Sequence, residues 1–132
     1  MKDIFKSGSS KEVRYLVKED DVASFKGEIV HPVCSTFTLA REVEWATRQF
    51  VLDMRDGDEE GIGTSLTIKH RGPAFVGEEL IIEASIININ SHELMCSFIV
   101  RVGGRIVATG ETGQKILKRE KITKLFSKPK TL

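Results

Sequence analysis

The sequence lacks any apolar run approaching the roughly 18 residues that read as a transmembrane helix. Met1 to Lys11 is polar and has no hydrophobic stretch of the secretory kind. These two absences predict a cytoplasmic protein with no membrane partner. No charge of one sign dominates: 20 basic and 19 acidic side chains leave a formal net charge of +1, which argues against a nucleic-acid partner. Cysteine is scarce. Cys34 and Cys96 form no short-spaced metal motif and no His/Cys cluster surrounds them. Two free thiols in a reducing compartment, and no metal, is the expectation. There is also no internal repeat and no linker long enough to divide the 132 residues, so one domain is expected.

What is present is an ordinary globular mixture, 40% hydrophobic and 30% charged. Residues 1–10 read as a frayed leader and residues 120–132 as a second tail, around a core of about 12–119. Val13, Tyr15 and Val17 alternate with polar neighbours and predict a first strand over Glu12–Val17. A polar connection follows from Lys18 to His31. From about Thr36 to Arg55, Leu39, Val43, Ala46, Phe50 and Met54 recur at spacings of four, three, four and four. That is one stripe of an amphipathic helix, and Gly57 is placed to stop it.

Beyond Glu60 the pattern becomes strand and turn. Ile62, Leu66 and Ile68 are assigned to one face of a strand ending at His70. Leu80–Ile89 is apolar on both faces and predicts a strand that is central or covered on both sides. Asn90-Ser91 reads as a turn. Leu94, Cys96, Phe98, Val100 and Val102 alternate over His92–Val102. Gly103-Gly104 is a strong two-residue hairpin signal, and Arg105–Leu117 is the last strand. The fold class is α+β: one long helix on a curved antiparallel sheet of about five strands. One helix covers one sheet face, so dimerisation that joins sheets edge to edge is expected to shield the rest.

Four residues are candidates for chemistry. By strand parity, His70 points to the covered face, toward the helix or a partner subunit, either as a packed histidine or as an acid-base group. Glu44 lies beside the helix stripe. It is a surface carboxylate paired with Arg41 or Arg48, three and four residues away, or the group that orients an imidazole. Thr36 opens the helix as an N-cap, a role open equally to Ser35 or Thr38, or as a hydroxyl that attacks or holds water. Gly63 supplies flexibility, or a close approach and an N–H for an oxyanion. Cys34, two residues before Thr36, is a rival nucleophile.

Together these residues carry a resemblance. Glu44 follows Thr36 by eight residues, His70 follows Glu44 by twenty-six, and Gly63 precedes His70 by seven. In these spacings, in the run His70–Gly77 and in the closing segment Ala108-Thr109-Gly110-Glu111-Thr112-Gly113, residues 12–119 resemble the fluoroacetyl-CoA thioesterase-like branch of the hot-dog-fold superfamily. At the lid positions where the fluoroacetyl-specific member has phenylalanines, this chain has Gly27 and Val30, so the resemblance does not extend to that selectivity.

The resemblance implies a hot-dog homodimer, or a higher even oligomer, with active sites at the subunit interface. It implies acyl-CoA hydrolysis to a carboxylic acid and free CoA, with CoA part of the substrate and no cofactor. His70 would act as general base and then acid, Glu44 would orient it, Thr36 would be nucleophile or water anchor, and the Gly63 N–H would bind the oxyanion. A non-catalytic acyl-CoA-binding domain and another hot-dog enzyme such as a hydratase are the alternatives. Lys118, Arg119, Lys121, Lys124, Lys128 and Lys130 crowd the C-terminus, as a solvated tail or as a cationic rim for CoA phosphates. Thr36 and Glu44, eight helical residues apart, are separated by roughly 12 Å along the axis. One imidazole contacts both only if the chain bends or two subunits share a site.

Overall fold

The computed structural model describes residues 1–129. A central helix α1 (Thr36–Met54) lies against an antiparallel sheet of β1 (Ser10–Leu16), β4 (Glu59–His70), β5 (Glu79–Asn90), β6 (Glu93–Val102) and β7 (Arg105–Lys118). Their spatial order is β1-β5-β6-β7-β4. This is the hot-dog arrangement expected above. No helix among the described residues is long and apolar enough to cross a membrane.

The helix forms where its apolar stripe predicts. Leu39, Val43, Ala46 and Phe50 are 0% exposed and Met54 1%, and each large side chain so buried contributes about 1.5–3 kcal/mol. They rest on Leu80, Ile82, Ala84 and Ile86 of β5 and on Leu94, Cys96, Phe98 and Val100 of β6, all buried. Gly57 does not stop the helix. The C-cap is Arg55, in extended conformation, and its N–H donates to the Val51 carbonyl.

Four other expectations are corrected. Strand β5 is central, between β1 and β6, but it is not apolar on both faces, because Glu83 and Ser85 stand with Ile81 on the side away from α1. Glu83 pairs with Ile99 and Ser85 with Ser97, and Glu111 and Thr67 follow across the sheet, so that face mixes polar and apolar side chains. The stretch from Lys18 to Cys34 is not a plain connection. It holds a 3-10 turn (Glu19–Asp21) and a hairpin of β2 (Val22–Phe25) and β3 (Glu28–Cys34). Lys26 and Gly27 form its turn, with φ of 52° and 82°, the left-handed pair that a tight hairpin needs. The turn between β5 and β6 is Ser91-His92, not Asn90-Ser91.

The leader is packed rather than frayed. The Phe5 ring meets the Phe50 ring edge-on at 5.2 Å, and Gly8 N–H donates to the Ile86 carbonyl at 2.8 Å. At the other end, α2 (Arg119–Leu125) carries part of the basic cluster, exposed to solvent. Lys130 lies outside the described residues.

Candidate active site

The first turn of α1 fixes Thr36. Ser35, not Thr36, is the N-cap: its hydroxyl accepts the Thr38 N–H at 3.0 Å, as N-cap side chains do. Ser35 N–H in turn donates to the Asp21 carbonyl at 2.8 Å. Thr36 is thereby relieved of capping, and its hydroxyl turns outward to the end of β4. There Thr36 Oγ1 lies 2.9 Å from Nδ1 of His70. In the tautomer with its proton on Nε2, His70 accepts this bond and the hydroxyl donates. Both side chains are exposed in the single chain.

A β-bulge between Gly63 and Ser65 decides which way β4 presents its side chains. Gly61 and Gly63 pair with Ile116 and Gln114, while Leu66, Ile68 and His70 pair with Thr112, Gly110 and Ala108. Gln114 bonds Thr47 of the helix and Ile116 is in the core, so all these positions face α1. Ile62 pairs with Lys115 and faces away. The single face assigned to Ile62, Leu66 and Ile68 is therefore corrected: the bulge divides them.

Glu44 and Gly63 lie together elsewhere. They line a cleft of about 300 Å³ between α1 and the β4–β7 edge, with Trp45, Ser65 and Gln114 also on its wall. The ion pairs considered for Glu44 do not form. Arg41 Nε donates to Glu42 at 2.8 Å and its Nη2 lies 3.5 Å from Asp21, while Arg48 binds Glu60 at 3.0 Å. Among the described residues the exposed Glu44 carboxylate makes no ion pair. A Cβ built on Gly63 meets nothing within 4 Å, whereas one on Gly61 meets Val51 Cγ1 at 2.7 Å. Gly61 is small because the helix packs on it. Space above Gly63 is open.

The four residues thus form two pairs rather than one cluster. Helix α1 is unbroken between Thr36 and Glu44, so these stay roughly 12 Å apart. Gly63 and His70 lie at separated points of one extended strand, about 20 Å apart at strand rise. No bend brings the pairs together within one chain.

Cys34 is buried beneath Thr36 at 1% exposure. Burial first, and then the nearby Asp21 charge, pushes its thiol up to about 11, which leaves it a poor nucleophile at neutral pH. The sequence reading missed the cavity under the β2–β3 hairpin, lined by Val22, Phe25, Phe37 and Thr36 among others. Its available signal was the Lys26-Gly27 turn between apolar Phe25 and Ile29.

The fluoroacetyl-CoA-specific thioesterase family, FlK, matches residues 17–120. No curated protein matches the chain. Among solved structures, a thioesterase superfamily member from Thermus thermophilus superposes with a TM-score of 0.87 at 24% identity, covering 91% of this chain and 89% of that one. The fluoroacetyl-CoA thioesterase FlK itself superposes at 0.87 with 16% identity, over 96% of this chain and 100% of its own. The 1,4-dihydroxy-2-naphthoyl-CoA thioesterase of Synechocystis reaches 0.69 at 13% identity, over 83% of each chain. At such identities the superpositions speak for the fold. The family match carries the identity: this chain belongs to the fluoroacetyl-CoA-specific thioesterase family and is a thioester hydrolase.

Proposed function

We propose that the chain hydrolyses an acyl-CoA at a site built from two subunits, with Thr36 and His70 from one and Glu44 and Gly63 from the other. The observation that carries this reading is the 2.9 Å contact between Thr36 Oγ1 and His70 Nδ1. That is the hydrogen-bonded geometry a nucleophile and its base require. The two-subunit arrangement is supported by the division of the candidates into separate pairs. It is also supported by the position of β4 at an open edge of the sheet. Antiparallel pairing of two β4 edges about a two-fold axis carries Gly63 of one copy toward His70 of the other. It also shields a dyad that is exposed in the single chain.

In this reading His70 takes the proton of the attacking oxygen, and the new C–O bond raises a tetrahedral oxyanion held by the Gly63 N–H. Collapse breaks the C–S bond, and His70 returns the proton to the departing CoA thiolate. Glu44 orients the imidazole and stabilises its charged form. If the attacking oxygen is Thr36 Oγ1, water then cleaves the acyl ester by the same route. If it belongs to a water held by Thr36, the acid is released directly. Mass-spectrometric trapping of an acyl-Thr36 species distinguishes these routes. Acyl-CoA is the class to test, since FlK variants have been solved with fluoroacetate and CoA and with acetyl-CoA. CoA enters as part of the substrate, and the chemistry draws on side chains and water alone. A CoA ester and the free thiols Cys34 and Cys96 fit a reducing cytoplasm.

The test is single-turnover thiol release by the wild type, His70→Gln, Glu44→Gln and the double variant, with circular dichroism as the folding control. His70→Gln is expected to slow the chemical step roughly 10²–10⁴-fold. The double variant should lose far less than the product of the single losses. A folded His70→Gln protein that hydrolyses a good substrate at near wild-type rate refutes the mechanism.

A further inference from the structure

The cavity beneath the β2–β3 hairpin is walled by Val22, Ala23, Phe25 and Phe37, and Thr36 is part of its lining. Phe25 and Phe37 are 73% and 78% exposed, although each has an aromatic ring to bury. Exposed rings gathered at one place mark a surface that something apolar covers. Here the occupant follows from the chemistry already placed. Thr36 lines the cavity and bonds His70, which stands outside that lining, so a carbonyl held at Thr36 has the hairpin wall beside it for its attached group.

Size and charge narrow that group. The cavity measures about 590 Å³, on the order of twenty water volumes at roughly 30 Å³ each. A two-carbon acyl group leaves most of it wet. The wall also disfavours a carboxylate. Asp20 contributes a negative charge, and Arg41, the guanidinium on the wall, is already engaged by Asp21 and Glu42. His31 is the remaining basic side chain there, and a dicarboxylic ester reads whether it recruits an anion.

Resting on the hydrolytic reading above, we infer that the preferred substrates are thioesters of uncharged acyl groups bulkier than acetyl, branched or phenyl-substituted, held between Phe25 and Phe37.

The experiment compares kcat/KM for acetyl-CoA, isobutyryl-CoA, phenylacetyl-CoA and succinyl-CoA, with His70→Gln as the control for site-dependent hydrolysis. The wild type should favour isobutyryl- or phenylacetyl-CoA over acetyl- and succinyl-CoA by about tenfold or more, a filled apolar position being worth roughly 10–200-fold. Phe25→Ala and Phe37→Ala change exposed side chains and should keep the fold. Each should lower the phenylacetyl-to-acetyl ratio, and Ala23→Trp, which fills the cavity, should lower it further. A wild type that prefers acetyl- or succinyl-CoA, while still depending on His70, overturns the inference and leaves the hydrolytic reading standing. So does a ratio unmoved in both phenylalanine variants. Absence of His70-dependent hydrolysis of all four esters overturns both.

Discussion

Tyr15 donates its phenolic hydrogen to the Asp21 carboxylate across 2.6 Å, and that carboxylate is 5% exposed. Lys18 N–H supplies a second donor at 2.9 Å, and Arg41 lies nearby. Burial by itself would raise the Asp21 pKa, but these donors and the Arg41 charge outweigh it, and the group titrates below its ordinary range. Burial, followed by the Asp21 bond, pushes the tyrosine up to about 12. The Asp21 backbone carbonyl meanwhile receives Ser35 N–H and the Thr38 hydroxyl, so one residue ties β1 to the start of α1. Tyr15→Phe leaves the buried carboxylate short of a donor. Chemical unfolding at neutral pH should show a loss of about 1–3 kcal/mol, and an unchanged unfolding midpoint and slope would remove this role.

The two-subunit site proposed above predicts rescue between two crippled proteins. His70→Gln keeps Glu44 and Gly63, and Glu44→Gln keeps Thr36 and His70. Co-expressed with different tags, they form hybrids in which one of the two sites is whole. Random pairing should restore about a quarter of wild-type activity if the assembly is a symmetric dimer. A mixture showing only the mean of the two parents contradicts the arrangement. Light scattering should find a dimer or larger even assembly, and a stable monomer at micromolar concentration contradicts it as well.

Gly63 and Gly61 should separate activity from stability. Because a Cβ at Gly63 meets nothing of its own chain, Gly63→Ala should unfold like the wild type yet turn over more slowly, as the methyl occupies the thioester's approach. Gly61→Ala drives a methyl into Val51, which is 0% exposed, and should cost about 1–3 kcal/mol. Unimpaired turnover in Gly63→Ala argues against substrate contact there.

Cys34→Ala should keep its turnover. The thiol is held at about 11 by burial and by the Asp21 charge, and its removal should cost roughly 0.5–1.5 kcal/mol as a small buried deletion. Complete loss of activity in a folded Cys34→Ala protein would return it to candidacy as the nucleophile.

Acid should weaken the protein through Glu60. Burial tends to raise this carboxyl, but Arg48, the Gly61 N–H and Arg55 outweigh it and lower it from 4.5 to about 2. A pKa lower in the folded state means stability present above the unfolded value and lost as pH falls from about 4.5 to about 2. Glu60→Gln should lose roughly 1.5–3 kcal/mol at pH 7 and should flatten the fall in stability across that window. An equally steep fall in the variant places the acid sensitivity elsewhere.

The parts of the fold that were legible in the sequence are those whose burial is periodic. Leu39 to Met54 announces a helix because every stripe residue meets the core, and Leu94 to Val100 announces a strand for the same reason. The β2–β3 hairpin was not legible. Most of its residues are exposed, its register shifts twice, and so no alternation develops over Val22–Cys34. Phe5 was missed because a single ring docking on Phe50 has no period. At the site, the resemblance to the fluoroacetyl-CoA thioesterase-like branch singled out Thr36, Glu44, Gly63 and His70. That they divide into two pairs depends on an unbroken helix and a long strand. Those are distances in space, and local pattern does not carry them.

The bulge in β4 has a consequence for inheritance. Gly63 and His70 are seven steps apart, an odd number, and on a regular strand an odd interval puts two residues on opposite sides. Counted on the neighbouring strand, the same interval runs from Gln114 to Ala108, six steps, an even number. The surplus residue converts one parity into the other. A single deletion or insertion elsewhere in this stretch, with the bulge kept, would turn His70 away from Thr36, whereas loss of the surplus residue together with the bulge keeps Gly63 and His70 on one face. Descendants of this chain can therefore lengthen or shorten this segment by two residues, but a change of one must be answered by gaining or losing a bulge.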